Sequence, residues 1–519
     1  MQWLIGCIMN RNEVSLSRVF SILKRMEKKL DALPTGAAAQ PFSTNQLPCE
    51  TSSNGISSPA GRAEENNSSN TAYAATSPVD TISFDKTAPL TETIFSVPKT
   101  RISFSAHMTL DAIADAPCFR ANSPLKNHHY KLASPATLEL GQQSMYTDFG
   151  ATVPMMLETL PFMTIKELSN AYFATWNRVY PIVDRDYYFA YTLNLVAQDG
   201  FDYNMESCVV LMVMALGCLG EKAYVDGGFS RKGAACLAPL DAYISRFLEE
   251  PVPGESLVAE SSKRVGFCLC DTSIQSCQYY LLRATFYEQT AKPMDEWMMI
   301  TRACTVSVAL SKYADIQLDE WKADMQSRLF WICLLREAVV VDEMELVPSG
   351  LQDLAEQTPL PRFVRYPIQR PRAKDDDDSH YHYHFLAQLA LRIIITRIRN
   401  ELYNTEPSPF VAEELFSQLY QWCDNLPTGL KFSENNAVQP HEPAEAVATM
   451  LLRTRYTLAI YHISRPFLIK AIRFPLETTD HEIRICSEAM KCAMEWPIGD
   501  RKSRQLKTFM PVKYFACAQ

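Results

Sequence analysis

The sequence predicts an all-α protein, and three observations carry that prediction. Beyond residue 153 the apolar residues recur with helical rather than alternating period. The breaks between these segments are short and carry Pro or Gly, at Pro251 to Gly254, Pro359 to Pro371, Pro427 and Pro440 to Pro443. No run alternates apolar and polar residues with a hairpin turn after it, as half-buried strands would. With 519 residues, 47% of them apolar, the chain has the material for a large core.

Residues 1–13, containing MQWLIGCIM, are read as an N-terminal remnant. The run has no preceding positive charge and no small-residue cleavage site, so it is not read as a signal peptide. Residues 14–33 form a heptad, with Leu16, Leu23 and Leu30 at one core position and Val19, Met26 and Leu33 at the other. A 3.5-residue repeat puts these six on one stripe, so the segment is predicted to dimerise as a short coiled coil, either with a second copy or with another chain. The competing reading is an amphipathic helix packed on its own domain, because about three heptads give only marginal stability. Lys24, Arg25, Lys28 and Lys29 lie off the stripe. They form a basic patch for nuclear import or DNA backbone, or else an ordinary solvated face. Pro34 closes the helix.

Residues 34–152 are rich in Ser, Thr, Asn and Pro and poor in apolar periodicity, with Ser-Pro steps at Ser58, Ser77, Ser123 and Ser134. Such a composition cannot bury enough surface to offset its ordering entropy, which predicts a disordered linker. Residues 153–519 then form the helical domain. Its longest apolar run, Cys208 to Leu219, is shorter than the roughly 20 residues a bilayer requires, so no membrane partner is expected. Around Leu389, Ile393 and Ile394 the pattern predicts a surface helix with one buried side and Arg392, Arg397 and Arg399 on its other faces. Pro466 is expected to kink or restart its helix, freeing carbonyls for the neighbouring Arg465 guanidinium.

Catalytic chemistry finds no support in the pattern. There is no GxSxG elbow, no phosphate-binding loop and no dinucleotide fingerprint, and the chain has only 17 glycines. The run Asp375 to Asp378 followed by His380, His382 and His384 contains competent metal ligands. A helix starting there would splay the three imidazoles, and the carboxylates would then serve its N-terminus. Cys268, Cys270 and Cys277 lack the paired spacing of a structural zinc site. Many of the fifteen cysteines, Cys208, Cys218, Cys304, Cys333, Cys423, Cys486 and Cys492 among them, are scattered singly through apolar segments, as in a protein of a reducing compartment. A net charge of −9 argues against chain-wide affinity for nucleic acid.

Six segments, in order, resemble the regulatory domain of fungal zinc-cluster transcription factors. They are LSNAYFATWNRVYPIVDRDYYF from Leu168, CVVLMVMALGCLG from Cys208, QYYLLRATFYEQTAKPMDEWMMITRACTVSVAL from Gln278, RLFWICLLREAVVVDEMELVPSGL from Arg328, LFSQLYQWCDNLPTGLKF from Leu415 and LLRTRYTLAIYHISRPFLIKAI from Leu451. They cover roughly residues 160 to 500. The resemblance implies an opening helix with a Pro-bearing turn, a buried helix, a central hairpin and a long helix that begins at the RLFW step and ends in an acidic turn. Within that step Arg328 would pair with an acid while Phe330 and Trp331 pack inward. A ligand-lining role for Arg328, Phe330, Trp331 and Trp297 is the alternative, since aromatic helical interiors hold small apolar molecules.

The family reads DNA through a six-cysteine cluster that binds zinc. Here only Cys7 and Cys49 precede Cys118, so the cluster and its zinc are missing from this sequence. The resemblance therefore implies a nuclear transcription regulator that works with the transcription machinery and a small-molecule effector, with DNA a partner by kinship alone. Clipping at either end, a regulator that pairs with an intact partner, and a remnant are the readings left open. A helical ligand-binding or scaffold protein that does not bind DNA is the alternative function.

Overall fold

The computed structural model describes residues 157–229, 241–290, 292–312, 319–344, 346–368, 378–403, 406–431 and 441–495. The heptad, the basic patch and the linker lie outside them. Among the described residues 78% are helical and there is no strand, so the domain is all-α.

The chain enters through α1 (Phe162–Ala174) and α2 (Trp176–Val179), then turns at Pro181 into α3 (Arg185–Tyr187), a π turn (Tyr188–Thr192) and α4 (Leu193–Asp199). α5 (Met205–Gly227) follows. Its start is set by Asn204, whose side chain accepts from the Ser207 amide at 2.8 Å, and its end by Gly228 in the left-handed region. By length and composition α5 would cross a membrane, but 83% of its most apolar window is buried within the protein. It is apolar on nearly all faces because α1, α7 (Glu255–Val265) and α8 (Ile274–Gln289) pack around it. α6 (Ala242–Leu248) also rests on it.

α8 and α9 (Pro293–Lys312) form the central hairpin, and α10 (Glu320–Met344) packs against α9 as the third member of a bundle. α10 begins two turns before the expected RLFW step and absorbs the residues expected to form an acidic turn. The misplacement has a physical reason. The opening EWKADMQS lacks an apolar run, yet Asp324, Met325 and Ser327 in it are buried, so tertiary packing carries the helix past the apolar signal.

The second half of the domain comprises α11 (Ser379–Leu402), α12 (Pro409–Asp424), α13 (Pro443–Arg473) and α14 (Asp480–Glu495). α9, α12 and α13 each open on a proline, where the missing amide costs nothing. α11 corrects the expectation of a surface helix: it is central, and Arg392 and Arg397 on it are buried. Arg397 is accommodated because its Nε donates to Glu401 at 2.6 Å and its Nη2 to Glu414 of α12 at 2.9 Å. The two halves share one continuous core from Leu157 to Cys486, joined where α2 meets α11 and α13 and where α10 meets α11.

Pro466 neither ends nor restarts α13, which runs on for 31 residues. A proline leaves the carbonyl four residues earlier without its amide partner. That carbonyl belongs to His462, and it accepts from the Tyr403 hydroxyl at 2.9 Å. The acceptor is therefore satisfied by a tyrosine at the end of α11.

Candidate functional site

The RLFW step is part of a strap. Asp324, Ser327, Arg328 and Trp331 recur at helical spacing on one face of α10, where they hold the extended segment from Pro359 to Val364. The Asp324 carboxylate accepts from Arg328 Nε at 2.8 Å, from the Arg362 amide at 2.6 Å and from the Val364 amide at 2.8 Å. Arg328 Nη2 donates to the Val364 carbonyl, Ser327 Oγ donates to the Pro359 carbonyl, and Trp331 Nε1 donates to the same carbonyl at 2.8 Å. Between these anchors Phe363 takes a φ of 58°, an unusual conformation for a non-glycine residue. Its ring is stacked on His382 at 4.0 Å and lies 5.5 Å from the Arg328 guanidinium.

Arg328, Phe330 and Trp331 are thus core and strap residues, each at most 7% exposed. Trp297 is separate from them. It sits half-buried on α9 and packs against the core.

A second polar system crosses the interior. Arg336 is 2% exposed and pairs with Glu288 at 3.0 Å and Glu296 at 3.1 Å, while donating to Thr285 at 3.1 Å. Burial opposes its charge, but the two carboxylates hold the guanidinium's pKa above its ordinary value. It lies 5.2 Å from the Tyr180 ring, whose hydroxyl accepts from Arg455 at 3.3 Å. Arg455 also donates to Gln388, and the Gln388 amide lies 3.0 Å from His384 Nδ1. Burial, reinforced by Arg455, pushes the His384 pKa down to about 3, so the ring is neutral at ordinary pH. The other two histidines of the run diverge, as a helix requires: His382 stacks on Phe363, and His380 is partly buried beside Gly429. Asp378 pairs with Arg178 at 3.6 Å and Arg365 at 4.0 Å. Among the described residues no group of three His, Cys, Asp or Glu is arranged to hold a metal ion.

The surface feature that sequence reasoning missed is an open groove of about 920 Å³ between α12 and α14. Phe416, Tyr420 and Ile485 supply its apolar part, and Glu413, Asp424 and Glu488 its acids. His481 Nε2 meets Glu413 at 2.5 Å across one edge. The signal was present in the spacing of Phe416 and Tyr420, and of His481, Ile485 and Glu488, each at three or four residues on its helix. What no single helix reveals is that the two faces meet.

These arrangements define an all-α domain with a strapped central helix and a polar interior. Comparison of the chain with protein-family models, with curated proteins and with solved structures gave no match. The likeness to fungal zinc-cluster regulators therefore rests on the six ordered segments alone.

Proposed function

We propose that this chain is a fungal transcription regulator whose helical domain, within residues 153–519, controls RNA polymerase II transcription in the nucleus. The observation that carries the reading is the order of the six segments. Each corresponds to its own element or run of elements: α1 to α3, α5, the α8–α9 hairpin, α10, α12 and α13. In this reading the leucine stripe from Leu16 to Leu33 pairs two chains, or this chain with a partner that reads DNA. The reading gives the protein no catalytic role and no cofactor of its own, and it leaves metabolite control to the helical domain.

The test is a full-length fusion to a heterologous DNA-binding domain at a reporter promoter in a fungal host. The expected result is nuclear accumulation with reporter output moved several-fold, up or down, from that of the DNA-binding domain alone. An unchanged reporter with the fusion present at the promoter would sink the proposal. A scaffold reading draws on the α12–α14 groove. It predicts that charge reversal at Glu413 and Glu488 removes a bound protein partner while leaving the reporter silent throughout.

A further inference from the structure

We propose that the groove between α12 and α14 is the seat of the chain's own C-terminal segment, residues 500–515, which lies outside the described residues. The groove joins an apolar floor of Phe416, Tyr420 and Ile485 to the carboxylates of Glu413, Asp424 and Glu488, with Arg484 as the one guanidinium on its lining. Glu413 and Glu488 have partners that a ligand can replace: His481 at the groove edge for the first, and the exposed Lys491 for the second. The two carboxylate side chains are 57% and 38% exposed, and exposed pairs contribute little, so exchanging them for another cation costs little. The exposed ring of Tyr420 offers an aromatic face beside them. The ligand that suits this surface is a cationic segment with aromatic and aliphatic side chains interleaved.

That composition stands in the same chain, just beyond the groove. Residues 500–515, DRKSRQLKTFMPVKYF, carry five Lys or Arg against a single acid, Asp500, with Leu506, Phe509, Tyr514 and Phe515 among them. The tether has the origin and the length that seating requires. α14 ends at Glu495, and Pro497 and Gly499 are residue types that turn a chain. At a rise of about 1.5 Å per residue, the far end of the groove at His481 lies about 21 Å back along α14 from Glu495. Residues 500–515 span about 24 Å as a helix and about 50 Å extended, so they can return along the whole groove in either form. A short tether also holds its segment at a local concentration of about 1 mM. A dissociation constant of about 0.1 mM then keeps the groove filled about nine-tenths of the time, an advantage that neither a second copy nor an outside peptide shares. The seated segment covers the groove until a stronger cationic partner displaces it.

Hydrogen exchange on dilute full-length protein, read by mass spectrometry, tests the seating. In the wild type the amides of residues 501–515 should exchange about tenfold more slowly than those of an unstructured chain. Glu413→Lys/Glu488→Lys should remove that protection and Tyr420→Ala should reduce it, while the amides of α5 stay protected and report that the domain is folded. The reversal from the other side, Lys502→Glu/Lys507→Glu, should remove it as well. Protection should weaken in concentrated salt, which screens exposed charges, and should not change on further dilution. Carbodiimide coupling in a mixture of light- and heavy-isotope chains should join Lys502, Lys507 or Lys513 to Asp424 within one chain. Three results would each overturn the proposal. They are a wild-type segment that exchanges freely, which leaves the groove to an outside partner; protection that survives both charge reversals; and coupling mainly between chains of different label, as a second copy in the groove gives.

Discussion

Gly217 lies where α5 crosses α1, and a single added methyl group tests how closely the two helices are fitted. A Cβ at this position would lie 2.1 Å from the Leu168 carbonyl oxygen and 2.8 Å from its carbon, against the 3.4 Å at which ordinary contact begins. The obstacle is backbone, so no side chain can rotate away and the helices must separate by more than an ångström. That movement pulls on Trp176, whose indole donates to the Leu216 carbonyl at 3.0 Å. Overpacking costs roughly 1–3 kcal/mol, and a rigid obstacle belongs at the upper end. Weakening the buried indole bond adds about 1 kcal/mol, and the better helix propensity of alanine returns about 1 kcal/mol. Gly217→Ala should therefore lose about 3 kcal/mol in chemical denaturation and several degrees in melting temperature. Gly266 is the control. It has right-handed helical angles and nothing within 4 Å of its added Cβ, so Gly266→Ala should be neutral or stabilising by up to about 1 kcal/mol. If the two variants melt together, the close approach of α1 and α5 is wrong.

Three further substitutions probe the interior. Arg336→Met leaves Glu288 and Glu296 buried without their cation and should cost about 3–5 kcal/mol in urea unfolding; a loss under 1 kcal/mol would contradict the burial of the trio. Tyr403→Phe strips the His462 carbonyl of its donor and should cost about 1–3 kcal/mol, but clearly less in a Pro466→Ala background, where the helix supplies its own amide. A double-mutant cycle with no coupling would refute that link. The His384 pKa falls from an unfolded value near 6.5 to about 3 in the fold, so in that interval the unfolded chain binds the extra proton. Its contribution is complete above pH 6.5 and is lost as pH falls, with a limiting slope of about 1.4 kcal/mol per pH unit. Denaturation across pH 4 to 7 should show that slope shrinking in His384→Gln relative to wild type, and parallel curves would refute the assignment.

Much of this fold was legible because its signals are local. α5 declares itself by an unbroken apolar run from Cys208 to Leu219, and the α8–α9 hairpin by periodic segments around Pro293. The readings that failed concern charged residues whose partners are remote in the chain. The acid that Arg328 was expected to pair with could not be singled out as Asp324, because its other partners, the amides of Arg362 and Val364, lie some 38 and 40 residues later. Arg397 reads as an exposed face until Glu414 arrives from α12. The strap was therefore visible only as an RLFW motif, without the segment it holds. The groove between α12 and α14 was not visible at all, because it belongs to a pair of helices.

The Tyr403–His462 bond also bears on how the domain assembles. An uninterrupted helix can form every turn before it meets anything else, but α13 lacks one of its own hydrogen bonds where Pro466 falls. The replacement donor comes from the end of α11, 59 residues earlier in sequence. The last turns of α13 and the packing of α14 on it should consolidate only once α11 is in place. Substitutions around Tyr403 should then slow folding if that docking precedes the rate-limiting barrier, and mainly speed unfolding if it follows.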